Sequence, residues 1–342
     1  MEITQRKMVI LATLIKLYLD AGEPVGSRAV MDALGMQLSS ATIRNEFAEL
    51  AEMGYLFQPY TSAGRVPTGR AYRLYIDKLM RKRQLSEDDR RRIDAMLPWT
   101  GDSPEGALST AAQSLADWTA MAAIASQTPD GGDRVKRADL IPLGTHTALI
   151  VLLTTSGMVR SRLCRCDTPL NSALLELFGN VTAKFICGEP VALLGPAKLQ
   201  SVAAALGEQA LALSSPLFSL FEAARDAGEG QLQLAGESNL LRHFDASGDG
   251  AGNLLSLLAH ARGMIPDLGR TGPRFAAVLG EENQDEAMRI ASLIFAKYRL
   301  GDKIVGAIGI IGPLRMDYEH IIPAIEYFAQ RLSEYLSRFL DP

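Results

Sequence analysis

Cysteine, histidine and long apolar runs are all scarce in this sequence, and each scarcity removes a class of protein. Three cysteines (Cys164, Cys166, Cys187) in 342 residues cannot complete a disulfide framework. The four histidines (His146, His243, His260, His320) are scattered, so no set has metal-ligand spacing. Cys164 and Cys166 are expected on opposite faces of a strand, a poor arrangement for sharing a metal. There is no G-x-S-x-G elbow, no H-E-x-x-H pair and no GKS or GKT phosphate loop. Asp317, Glu319 and His320 cluster at a predicted helix start, where polar residues cap and solvate. The expectation is therefore no enzyme, no metal and no cofactor. No apolar run approaches the roughly 20 residues that cross a bilayer. The opening MEITQRKMVI lacks the apolar core and cleavage site of a secretory signal. A cytoplasmic protein with no membrane partner is expected.

What remains is an ordinary globular composition, 47% apolar and 22% charged, with length for two or three domains at roughly 100–200 residues each. A net charge of −4 argues against nucleic acid until its distribution is read. Residues 1–95 hold 15 Lys or Arg against 12 Asp or Glu, a net +3, which leaves −7 to the rest. Binding to DNA is a property of the local field, so the basic front end is where to look.

The stretch from Leu38 to Asp77 carries the pattern. Ser39 or Ser40 suits a helix N-cap, and Ile43, Phe47 and Leu50 then recur on one face. Gly54 stops that helix, and Tyr55, Leu56 and Phe57 suit a short strand. Pro59, Gly64 and Pro67 bracket a loop centred on Arg65. Helix, stop, strand, loop and a second helix (Ala71 to Arg83) read as a helix-turn-helix with a wing. A capped recognition helix meets the major groove with its first turns, which here carry Ser40, Thr42, Arg44 and Asn45. Arginine pairs with guanine and asparagine with adenine in two-pronged fashion. From Gly54 to Arg83 there are seven basic residues, Arg65, Arg70 and Arg73 among them, against Asp77 alone, an excess suited to phosphate. A solvated surface is the ordinary alternative for such a run.

Upstream, residues 4–20 read as a first helix and Arg28 to Leu34 as a second, capped by Ser27. Leu85 to Met96 looks like a charged connector, and Pro98 to Gly106 the clearest boundary. Ala107 to Ser126 reads as an alanine-rich helix, followed by strands at 138–143, 147–153 and 158–164. A helix at 171–185 takes Thr168 as a possible cap, and 191–227 is mostly helical. A helix is expected at 254–261, and 287–298 is ambiguous between helix and strand. Ile304 to Ile311 reads as a buried strand, and Tyr318 to Leu340 as a final helix. Gly306, Gly309 and Gly312 fall inside that strand, which points to close backbone packing, not a phosphate loop. One sheet formed by strands before 165 and after 274 is expected; two consecutive α+β domains fit the pattern as well.

SSATIRNEFAELAEMGYL, then QPYTSAGRVPTGRAYRLYID, and near the C-terminus VGAIGIIGPLRMDY, resemble the heat-inducible transcription repressors called HrcA. Tyr60 stands where that family is expected to have His, and a tyrosine can still bond a phosphate. The resemblance implies an α+β multidomain chain: a winged helix-turn-helix at 1–85, a linker at 86–105, and a GAF-like α/β domain at 106–190 and 269–342, interrupted by a mostly helical dimerisation domain at 191–268. It adds Tyr60, Thr61 and Ser62 of the wing to the DNA-binding set. It further implies a homodimer on the CIRCE inverted repeat of chaperone operons, inactivated by heat and restored by the GroEL chaperonin. The nearest competing expectation is a winged-helix regulator released by a small molecule held in the GAF-like domain.

Overall fold

The computed structural model describes residues 3–35, 38–81, 83–98, 104–127, 132–243, 274–283 and 288–340. Helix α1 (Gln5–Ala21) is capped by Thr4, buries Ile10, Leu11, Leu14 and Ile15, and stops at Gly22. Helix α2 (Ser27–Leu34) starts one residue earlier than expected, with Gly26 at its cap. The Ser27 hydroxyl instead meets that of Ser40 at 2.8 Å, tying the start of α2 to the start of the next helix. Helix α3 (Ser40–Glu52) is capped by Ser39, which accepts from the Thr42 N–H, and it buries Ile43, Phe47 and Leu50.

Strands β1 (Leu56–Phe57) and β2 (Val66–Pro67) pair antiparallel, joined by a loop over residues 58–65. The base of that loop is pinned to the α1–α2 turn, since Val25 and Arg65 exchange both backbone hydrogen bonds. A Cβ on Gly64 would come within 2.4 Å of the Val25 backbone, so only glycine allows this approach. Helix α4 (Gly69–Leu74), capped by Thr68, widens into a π turn at Tyr75–Leu79. Helix α5 (Glu87–Met96) is no loose connector. It buries Ile93, and Asp94 pairs with Arg331 at 2.8 Å.

The rest is a mixed α+β body. Helix α6 (Pro104–Thr119) precedes strand β3 (Ala122–Gln127). The expected helix to Ser126 is wrong at its end: an alanine run packs equally well in either state, and β3 is buried on both faces. Strands β4 (Val135–Pro142), β5 (Thr147–Thr154) and β6 (Val159–Arg165) follow, then helices α7 (Ser172–Phe185), α8 (Pro196–Leu206) and α9 (Ala210–Glu229). Asn171, not Thr168, caps α7. Strand β7 (Gln231–Ala235), helix α10 (Glu237–His243), strands β8 (Phe275–Leu279), β9 (Ala291–Leu300) and β10 (Lys303–Pro313) and helix α11 (Tyr318–Leu340) complete the chain. The ambiguous 287–298 stretch thus becomes mostly strand, and the helix expected at 254–261 lies outside the described residues.

Sheet membership differs from the expectation. A five-stranded antiparallel sheet runs β7-β3-β10-β9-β8, while β4-β5-β6 form a separate three-stranded sheet. The segment that leaves the main sheet is therefore 132–230, rather than 191–268. The reason is burial: β5 alternates buried and half-buried residues, fitting one covered face, whereas β3, β9 and β10 are buried almost throughout. Ala148, Ile150, Leu152 and Cys164 form the covered face of the smaller sheet, with Phe178, Leu217 and Leu220 from its helices. Cys164 and Cys166 share one side, their sulfurs 3.9 Å apart, because positions two apart on an extended chain repeat a face. Burial, with Cys164 beside it, pushes the Cys166 thiol up to about 11, which disfavours its thiolate at neutral pH.

In the main sheet a Cβ on Gly309 would meet the Ile294 carbonyl at 2.1 Å, so that glycine serves strand packing. One core cluster joins α1 and α3 to α6, α11 and the sheet, and the Tyr72 and Tyr318 rings lie 5.5 Å apart across that junction. The N-terminal unit is thus packed onto the body.

Candidate nucleic-acid interface

The exposed side of α3 follows from what its other side does. Ile43, Phe47 and Leu50 turn inward, and Glu46 is buried with them. Two of the three acids of α3 are neutralised from α1: Lys7 reaches Glu46 at 2.9 Å and Glu49 at 2.8 Å, which leaves Glu52 at the far end of the helix. These bonds, that to Glu49 first, hold the Lys7 ammonium above its ordinary range. Arg44 and Asn45 point outward, exposed, with no hydrogen bond or ion pair among the described residues. Ser40 and Thr42 are half-buried and serve the helix start, Ser40 against Ser27 and Thr42 against the Ser39 hydroxyl at 3.0 Å. The arrangement offers one cation and one amide to an incoming partner from the first two turns of a capped helix.

The loop between β1 and β2 presents Tyr60, Thr61 and Ser62, all exposed, with Tyr60 62% accessible. Its shape is held by a residue the sequence reading did not single out. The Gln58 amide donates to the Thr61 carbonyl at 2.9 Å and the Ala63 carbonyl at 3.0 Å, and accepts from the Arg65 guanidinium. A glutamine between a strand and Pro59 was the available signal. Arg65 is half-buried and partly engaged by that brace. Arg70 is exposed and lies 4.8 Å over the Tyr55 ring.

Arg73 sits apart from this group. Its guanidinium forks onto Glu282, with Nε to Oε1 at 2.7 Å, and also donates to the Ala277 carbonyl. It fastens α4 to β8 across more than 200 residues of chain, so in this arrangement it is not offered to a phosphate. Among the described residues, no group of three or more His, Cys, Asp or Glu side chains could hold a metal, and no helix is long and apolar enough to cross a membrane.

Comparison with known proteins agrees with the N- and C-terminal sequence words. A family model described as the HrcA protein C-terminal domain matches residues 105–322. A heat-inducible transcription repressor HrcA of Caldanaerobacter subterraneus subsp. tengcongensis is 31% identical, over 98% of each chain. That of Thermobifida fusca is 31% identical over 97% of this chain and 96% of its own. A crystal structure described only as a hypothetical protein matches at a TM-score of 0.65 with 23% identity, covering 99% of this chain and all of that one. This chain belongs to the HrcA family, whose named members are heat-inducible transcription repressors.

Proposed function

We propose that this chain is a sequence-specific transcription repressor that binds duplex DNA as a homodimer. The observation that carries the reading is the pair Arg44 and Asn45, outward and without a partner among the described residues, on the capped first turns of α3. In this reading 1–85 is a winged helix, α3 enters the major groove, and Tyr60, Thr61, Ser62, Arg65 and Arg70 hold the phosphates beside it. The five-stranded sheet with α6 and α11 is the GAF-like domain, and 132–230 is the dimerisation unit. Supporting that last assignment, seven of the eleven large hydrophobic side chains exposed among the described residues lie in 132–230, Leu163, Leu211 and Phe218 among them. Two such helices carried by a two-fold dimer match the CIRCE inverted repeat of chaperone operons. Warming inactivates the repressor, and the GroEL chaperonin restores it.

The test is fluorescence anisotropy on an inverted-repeat duplex and on a random duplex, across temperature, with and without chaperonin. Arg44→Ala is expected to cost about 1–3 kcal/mol more on the operator than on random DNA. Equal loss on both would remove base reading from Arg44. Arg70→Ala is expected to weaken both alike and flatten the salt dependence.

A further inference from the structure

Where the segment between the π turn and α5 crosses α11, a cleft of about 300 Å³ opens. Three arginines from three separate parts of the chain line it: Arg83 before α5, Arg90 within α5, and Arg274 just before β8. Tyr327 and Gln330 of α11 line it too, and Glu326 is the only acid among the described lining residues.

Ordinary packing would pair such cations with carboxylates, and here Asp94, Glu334 and Asp317, the carboxylates nearby other than Glu326, are used elsewhere. Asp94 takes Arg331 at 2.8 Å and also accepts from the Tyr327 hydroxyl at 3.1 Å. Glu334 takes the other side of Arg331 at 2.5 Å. Arg83 faces His320, Nη1 to Nε2 at 2.9 Å, and the Nδ1 of that histidine is held by Asp317 at 2.5 Å. A histidine accepting from a guanidinium is neutral on that side and cancels no charge. Arg90 lies 5.8 Å over the Tyr327 ring. Among the described residues none of the three arginines forms an ion pair with a carboxylate. Three cations against one acid leave the described lining net positive, and a bound dianion would offset that charge.

Planar guanidinium forks match phosphate oxygens in two-pronged fashion. The cleft volume stands at the small end of the roughly 300–1,000 Å³ that ligand sites occupy. We propose that the Arg83–Arg90–Arg274 cleft binds a small phosphate-bearing anion, a phosphorylated metabolite or an oligophosphate. Such a ligand bridges the segment leading out of the N-terminal unit to the edge of the main sheet. The proposal does not rest on DNA binding.

The experiment is calorimetric titration of the full chain with inorganic pyrophosphate at constant ionic strength, with a parallel thermal melt. Saturable binding of one anion per chain and a raised melting temperature are expected. Arg274→Gln and, separately, Arg90→Gln should each weaken binding about tenfold or more, the loss of one charge-assisted contact. Arg91→Gln, one position along α5 and paired at the surface with Glu87, should leave it unchanged. Absence of saturable binding in the millimolar range would overturn the proposal, as would equal weakening by Arg91→Gln. So would an Arg274→Gln chain that binds pyrophosphate normally but has lost affinity for duplex DNA, since the cleft would then belong to a nucleic-acid surface.

Discussion

The five-stranded sheet buries both faces of its central strands, whereas the three-stranded sheet covers one face and leaves an apolar row open on the other, beside the Arg137–Asp139 pair. All six residues of β3 and the first eight of β9 are buried. Their inward partners come from α6 and α11 on one side and from a second cluster around Leu240, Leu293 and Phe295 on the other. In the smaller sheet, Leu149, Val151 and Leu153 of β5 sit half-buried on the outer face. Register sets Ile141 beside Leu149 and Leu149 beside Leu163, a greasy row with Leu163 70% accessible. The difference separates two uses of the same residue types: enclosed on both sides they supply stability, and left open on one side they are the surface that the proposed dimer would use.

The largest expected effect breaks the enclosed side. Phe328 of α11 is fully buried against the main sheet and the helices beneath it. Phe328→Ala should cost about 3–5 kcal/mol, seen as an earlier denaturant midpoint. The open side should answer differently. Ile141→Lys with Leu163→Lys changes exposed positions, so folding stability should move by no more than about 0.5 kcal/mol per site. Sedimentation should instead show dimers giving way to monomers, and affinity for an inverted repeat should fall with them. Should the double variant unfold the unit, the outer face is part of the core, and the contrast between the two sheets fails.

Local chemistry made much of the N-terminal unit readable. The Ser39 cap, the Gly54 stop and the inward face of Ile43, Phe47 and Leu50 each depend on residues within a few positions of one another. The boundaries of the body were not readable in this way. Whether β4 pairs with β5 or with β10 is settled by contacts between distant segments, and Val-, Ile- and Leu-rich strands look alike in sequence. The alanines of β3 carry no period, so helix and strand could not be told apart there. Arg73 is the clearest case among the site residues. Its neighbours are basic and follow the loop, which suggests phosphate, yet its partner Glu282 is 209 positions away.

That link is also where the edge of the enclosed sheet is covered, and it yields the smallest expected effect. Strand β8 is an outer strand, and Arg73 of α4 donates to its Ala277 carbonyl while forking onto Glu282 just beyond it. Burial works against the Glu282 carboxylate, but the Arg73 fork and the Leu279 N–H outweigh it and hold the group below the usual carboxylate range. A carboxyl depressed on folding adds stability that is present at neutral pH and lost as pH falls through its folded value. Both partners are about a third exposed, so the pair is worth under about 1 kcal/mol. Glu282→Gln should therefore shift the melt only slightly at pH 7, and the difference from the parent should shrink on acidification. Amide exchange in α4 and β8 should rise in the variant at neutral pH while that of β3 stays fixed. The same variant removes the carboxylate fork from Arg73 and leaves it the Ala277 carbonyl and Asp77, so any gain in affinity for random duplex, steepest at low salt, measures how near Arg73 stands to a phosphate. If affinity is unchanged while exchange rises, Arg73 serves only to close the sheet edge, and the proposed DNA-facing set stays as α3, the loop and Arg70.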